Sequence, residues 1–275
     1  MTNDKIKSLP PVSEMMRTAG LEPKKQLGQN FLFDLNLTGR IANSVPNIAH
    51  VPVIEVGPGP GGLTRALLLA GAPRVIAIEA DKKTEPILSD IVAASGGRLT
   101  VIYADAMRVN FSECVNGEYA ICSNLPYNVG TELFTRWIIA AACGAPIQSM
   151  TLMFQREVAE RITARCGDKQ YGRLAVLCSL VADSKILFDV PNTAFVPRPR
   201  VQSAVIRVIP NRDKISELPD IKKLELITAK LFGHRRKMIR GIIPGVDWAQ
   251  FGLNGTERAE EIAPETFAQM ARILI

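Results

Sequence analysis

Val51-Pro52-Val53-Ile54-Glu55-Val56-Gly57-Pro58-Gly59-Pro60-Gly61-Gly62-Leu63 reads as a strand that passes through a glycine-rich turn into a helix. Glycines at such a turn let the backbone approach a ligand closely. Outward from this stretch, apolar runs alternate with helical patterns. Strands are expected over residues 51–56, 74–79, 99–104, 119–123 and 149–154, with helices over 63–70, 82–94, 131–142 and 156–165. Repetition at this spacing implies a parallel sheet covered on both faces. A helix is expected over 174–182, and closing strands over 185–190 and 204–209 fit an antiparallel hairpin edge.

The bulk numbers bound the reading. The chain has 275 residues, of which 47% are apolar, enough for a packed core in one large or two modest domains. A net charge of +6 favours a polyanionic partner. Five cysteines without a CxxC pair, and two histidines, argue against a zinc cluster and fit reduced thiols. The polar start lacks a secretory signal, and no apolar run reaches the roughly 18 residues of a membrane span. A cytoplasmic protein with no metal and no membrane attachment is expected.

Three parts are expected along the chain. Residues 1–30, punctuated by Pro10, Pro11 and Pro23, read as an N-terminal arm ahead of a helix capped by Asp34. Residues 31–210 carry the strand–helix repeats. Residues 211–275 show only helical patterns (221–231, 235–243, 248–251, 256–262, 264–274) and read as a small all-helical domain.

The glycine turn is ambiguous on its own, because Gly57, Gly59 and Gly62 also satisfy the dinucleotide pattern GxGxxG. Three details favour a methyltransferase over a nicotinamide enzyme. The acids Glu55, Glu79, Asp81 and Asp105 suit a cationic sulfonium and its ammonium better than a pyrophosphate. Glu79 ends the next strand, where a carboxylate accepts from ribose hydroxyls, and Asp105 ends the third, where one accepts from an adenine amine. Finally, Asn124-Leu125-Pro126-Tyr127 ends the fourth strand at the same carboxyl edge. That tetrapeptide offers an amide, backbone carbonyls and an aromatic face, a set suited to a flat base with an exocyclic amine. The expected reaction is a direct displacement. Asn124 and the carbonyl of Leu125 or Pro126 hold the amine hydrogens.

These motifs resemble those of the ribosomal RNA adenine N6,N6-dimethyltransferases, in particular the bacterial small-subunit enzymes. The matching segments are Gln29-Asn30-Phe31-Leu32, the Gly57 loop, Glu79, Asp105-Ala106, Asn124–Tyr127, Tyr171-Gly172-Arg173-Leu174, the Phe195–Ser203 run and His234-Arg235-Arg236-Lys237. The resemblance implies a Rossmann-like α/β sheet with a C-terminal helical domain. It also implies S-adenosylmethionine as donor and two adjacent adenines near the 3′ end of 16S rRNA as acceptors, each methylated twice during small-subunit assembly. By position, Asn30, Leu32, Gly57, Glu79, Asp105 and Asn124 are implied to contact the cofactor. Leu125, Pro126, Tyr127 and Phe195 are implied to hold the base. Departures at Glu132, Cys166 and His234 touch none of these groups.

Two basic windows are candidate RNA contacts: Arg198 and Arg200 in one, Arg235, Arg236, Lys237 and Arg240 in the other. On a helix, Arg236 and Arg240 share a face. The expected partner is small-subunit rRNA within an immature 30S subunit, met by a monomer. Rival readings are a large-subunit rRNA dimethylase, a non-catalytic assembly factor on the same scaffold, and an NAD-dependent oxidoreductase.

Overall fold

The computed structural model describes residues 2–21 and 30–275, so Pro23, Lys24-Lys25 and Gln29 lie outside the described residues. In chain order its strands are β1 (Phe31–Leu32), β2 (Val53–Val56), β3 (Val75–Glu79), β4 (Leu99–Tyr103), β5 (Tyr119–Asn124), β6 (Ile147–Gln155), β7 (Ala182–Val190), β8 (Phe195–Val196) and β9 (Ser203–Pro210). Among the described residues, seven form one sheet in the order β4-β3-β2-β5-β6-β9-β7, and β1 pairs with β8 apart from it.

Strands β4, β3, β2, β5 and β6 are parallel. Their sequences suit that role, since every residue of β2 and β3 is buried and both read as near-continuous apolar runs. The antiparallel element enters at β9, which pairs with β6 from Met150↔Val208 to Gln155↔Ser203. The two closing strands are therefore neighbours as expected, with the later one on the inside. Parallel register brings the carboxyl ends of β2, β3, β4 and β5 to one edge. The chain steps from β2 outward to β4 and then returns to β5 on the other side of β2. That reversal makes a switch point, where open sheets of this kind receive ligands.

Two compact units emerge. The first comprises Met1–Phe134, Ala145–Arg156 and Ile186–Val208; the second comprises Thr135–Gly144, Glu157–Lys185 and Ile209–Ile275. The second unit thus takes in segments upstream of residue 211. Its core stacks Phe232 on Phe267 with ring centroids 5.4 Å apart, and Tyr171 meets Phe232 edge-on. No helix among the described residues is long and apolar enough to cross a membrane.

The described part of the N-terminal arm, residues 2–21, is largely helical despite Pro10 and Pro11. Helices Thr2–Lys7 and Val12–Thr18 bury Ile6, Met15 and Met16 in the core of the first unit. Arg65, 4% exposed, donates to the carbonyls of Pro10 (2.6 Å), Ile6 (3.1 Å) and Leu9 (3.2 Å). The Asp34 cap is as expected, accepting from the amides of Asn36 and Leu37 ahead of helix Leu35–Ala42.

Two expected helices, over 235–243 and 256–262, are absent. Helix Ile221–Phe232 ends at Gly233, residues 234–237 form turns, and only Ile239–Gly241 is a short 3-10 segment. Likewise 256–262 contains only the 3-10 segment Ala259–Glu261. One cause serves both. The amides of Ile239 and Arg240 donate across to the carbonyls of Glu257 (2.9 Å) and Gly255 (3.1 Å), which replaces bonding within either helix. Arg236 and Arg240 therefore share no helical face.

Candidate active site

The glycine turn is held open by backbone conformations that suit glycine. Gly57, Gly59 and Gly61 have φ of +67°, +54° and +83°. A Cβ on Gly59 would lie 2.8 Å from the Phe31 ring, and one on Gly61 would lie 2.3 Å from Ile91 Cδ1. The turn then feeds helix Gly62–Leu69.

Glu79 closes one side of this turn. Its Oε2 accepts from the Gly59 amide at 3.0 Å and its Oε1 from the Asp81 amide at 2.8 Å. Burial raises its pKa, while the amides of Asp81, Gly59 and Ala80 oppose the shift. A carboxylate has about four acceptor sites. Two backbone donors fix its orientation and leave capacity for a ligand's hydroxyls.

Asn124, at the end of β5, forms the other side. Its Nδ2 donates to the Asn30 carbonyl at 3.0 Å, which orients the amide. Beside it, the Ser123 hydroxyl donates to the Val56 carbonyl, tying β5 to β2 just before the glycine turn. Leu125 is buried and the Pro126 carbonyl accepts from the amides of Gly130 (2.9 Å) and Val129 (3.3 Å). Tyr127 shares a 2.8 Å hydrogen bond with Ser203 Oγ. Burial raises the tyrosine's pKa, with the Ser203 bond opposing.

These groups face one cavity. Asn30, Gly57, Glu79, Asn124, Leu125, Pro126 and Tyr127 line it, together with Phe31 and Gly59. An adjoining inner cavity is lined by Leu32, Glu55, Gly57 and Asn124 among others. Gly57 and Asn124 border both. A carboxylate, an oriented amide and a tyrosine ring around close-approach glycines can take hydroxyls, an amine and a flat ring, respectively. Phe31 and Ser203 had no assigned role from sequence. Each sits inside a quoted motif, yet only the fold shows that one walls the cavity and the other anchors Tyr127.

Two expected site residues stand apart from this cavity. Asp105 is exposed and accepts from the Met107 amide at 2.9 Å, with Arg108 at 3.8 Å. Phe195 is 2% exposed and packs in the core of the first unit, paired through β8 with Leu32 of β1. Its neighbour Val196 is 48% exposed, as alternation along a strand requires.

Among the basic candidates, Arg200, Arg236, Lys237 and Arg240 are exposed. Arg198 donates to Asn192 Oδ1 at 3.0 Å. Arg235 is committed within its own unit. It pairs with Glu260 at 3.0 Å and donates to the carbonyls of Tyr171 (3.1 Å) and Lys169 (3.3 Å).

Comparison with known proteins gives the family and the fold. The family described as ribosomal RNA adenine dimethylase matches residues 20–275. A ribosomal RNA small subunit methyltransferase A from Cereibacter sphaeroides is 48% identical over 277 residues, spanning 98% of both chains. One from Chelativorans sp. is 45% identical over 270 residues, spanning 96% of this chain and 98% of the relative. The fold is similar to that of a dimethyladenosine transferase from Plasmodium falciparum, with a TM-score of 0.73 at 22% identity, over 89% of this chain and 96% of that one.

Proposed function

The chain belongs to the ribosomal RNA adenine dimethylase family, and from that membership we propose its substrate and the roles of its residues. It transfers methyl groups from S-adenosylmethionine to N6 of two adjacent adenines near the 3′ end of 16S rRNA, dimethylating each during small-subunit assembly. The observation that carries this reading is the shared cavity between Asn124 and the Gly57 turn, at the switch point of the sheet.

The cavity fits the donor. Glu79 keeps acceptor capacity for ribose hydroxyls, and the left-handed Gly57 and Gly59 present bare backbone to the cavity. Asn30, Leu32 and Asn124 complete that wall. Asp105 reaches the adenine end only from its exposed loop. The bound donor supplies an electrophilic methyl carbon on a positively charged sulfur; the chain's own residues bind and orient the acceptor.

Adenine N6 is a weak nucleophile because its lone pair is delocalised into the ring. Asn124 Oδ1 accepts one of its hydrogens, since Nδ2 is held by Asn30. The Pro126 carbonyl already takes two amides, so the Leu125 carbonyl is the better second acceptor. Together they favour a pyramidal nitrogen, which is electrostatic preorganisation plus positioning. Tyr127 stacks on the base, a contact worth roughly 1–3 kcal/mol. That offsets much of the few kcal/mol needed to unstack a nucleotide. Phe195 joins the stack only if β8 shifts.

The exposed Arg198, Arg200, Arg236, Lys237 and Arg240 contact phosphates, whereas Arg235 acts by holding its loop. Residues 31–210 carry catalysis and 211–275 recognise the immature 30S subunit, in a cytoplasmic monomer. The test is transfer of tritiated methyl groups to immature small subunits, followed by digestion to nucleosides. Label in N6,N6-dimethyladenosine of 16S rRNA is expected; label confined to large-subunit rRNA, or no transfer, would contradict the reading.

A further inference from the structure

We infer that Glu55 distinguishes the cationic methyl donor from its neutral product, giving up a proton when the donor binds and regaining one once the methyl has left; this rests on the donor assignment above. Glu55 lies on β2, two positions before Gly57, and is 1% exposed. Its carboxyl accepts from the Thr64 hydroxyl at 2.6 Å and borders the inner cavity with Gly57 and Asn124.

Among the described residues, the groups around it supply no positive charge. Thr64 faces it from helix Gly62–Leu69, Glu79 acts on it from β3, and the buried Cys122 thiol lies beside it on β5. Among the described residues, no lysine or arginine forms an ion pair with it. An unpaired buried carboxylate is costly, so the group stays neutral instead. Burial accordingly raises its pKa to about 8, against the lowering effect of the Thr64 bond and with the charge of Glu79 adding to it.

A cation brought into this cavity supplies the missing partner. Asn124 borders both cavities, so a positive sulfur presenting its methyl at Asn124 lies at the mouth of the Glu55 cavity. Donor binding then expels the Glu55 proton to solvent. Loss of the methyl leaves a neutral thioether, the carboxylate loses its partner, and it takes a proton back. The adenine amine releases one proton in the transfer, so each complete turnover still liberates one. Weakened pairing with the thioether also favours product exchange between the successive methylations.

The test is calorimetry of the full chain with S-adenosylmethionine and with S-adenosylhomocysteine, in buffers of different ionisation enthalpy. Both ligands carry the same amino and carboxylate groups, so their difference isolates the sulfur charge. At pH 7 the donor should release close to one proton more than the product. The preference for donor over product should rise by up to about tenfold per pH unit until near pH 8. Glu55→Gln should abolish that rise. Equal proton release and a pH-independent ratio in the unaltered protein would overturn the inference, whatever the variant does. Failure of either ligand to bind would instead remove the donor assignment, and this inference with it.

Discussion

Asn124 Nδ2 donates to the backbone carbonyl of Asn30 at 3.0 Å, joining the end of β5 to the residue that precedes β1. The bond commits the amide nitrogen to structure and leaves the oxygen for the proposed contact with the substrate amine. Asn124→Asp keeps an acceptor but sets an oxygen against the Asn30 carbonyl. The variant should lose about 1–3 kcal/mol of stability and most of its methyl transfer. Urea unfolding beside a transfer assay checks both.

Gly57 and Gly59 separate backbone strain from steric clash. At Gly57 a Cβ makes only ordinary contact with Pro126, at 3.7 Å, so Gly57→Ala bears the left-handed conformation alone, about 1–2 kcal/mol. At Gly59 the same strain is joined by a 2.8 Å clash with Phe31. Donor affinity should fall by roughly tenfold in Gly57→Ala, the equivalent of about 1.4 kcal/mol, and clearly further in Gly59→Ala. Direct titration of the donor measures both.

Tyr127 carries a ring proposed to stack on the base and a hydroxyl that bonds Ser203. Tyr127→Phe removes only the 2.8 Å hydrogen bond and should cost about 0.5–1.5 kcal/mol of stability with activity largely kept. Tyr127→Ala removes the stack as well. Its effect should appear as a higher KM for the RNA substrate, which steady-state kinetics resolve.

Glu55 makes the stability of the ligand-free protein depend on pH. Its folded-state pKa, about 8, lies above the ordinary 4.5. Its contribution is therefore fully present below 4.5 and is lost as pH rises through about 8. The slope is about 1.4 kcal/mol per pH unit between those values, a few kcal/mol in all. Glu79 shifts in the same direction. Thermal unfolding from pH 5 to 8.5 should show a falling midpoint, flattened in Glu55→Gln.

The parallel core was legible in sequence because its central strands β2 and β3 are buried along their whole length and separated by strong helical periodicity. Asp34 and the Asn124 tetrapeptide were equally plain, since caps and strand-end motifs are local. What stayed hidden depends on contacts distant in sequence. The helices at 2–7 and 12–18 are too short to stand alone; Arg65 holds the end of the first and the linker between them through the carbonyls of Ile6, Leu9 and Pro10. The segment after Gly233 has helical composition, yet it bonds to 255–257 instead. Phe195 sits in an aromatic–proline motif that says nothing of which way its ring turns, and the pairing of β1 with β8 turns it inward. Glu55 was legible as an acid near the site, but its isolation from positive charge among the described residues required the packed neighbours.

The most direct test of a shared donor and adenine site at Asn124 is single-turnover methyl transfer by Asn124→Ala on immature small subunits, with donor affinity measured on the same preparation. The rate should fall by roughly 10²-fold or more, while the donor Kd changes by less than about tenfold. Equal losses in both, or a rate near that of the unaltered protein, would contradict the assignment of Asn124 to the reacting amine.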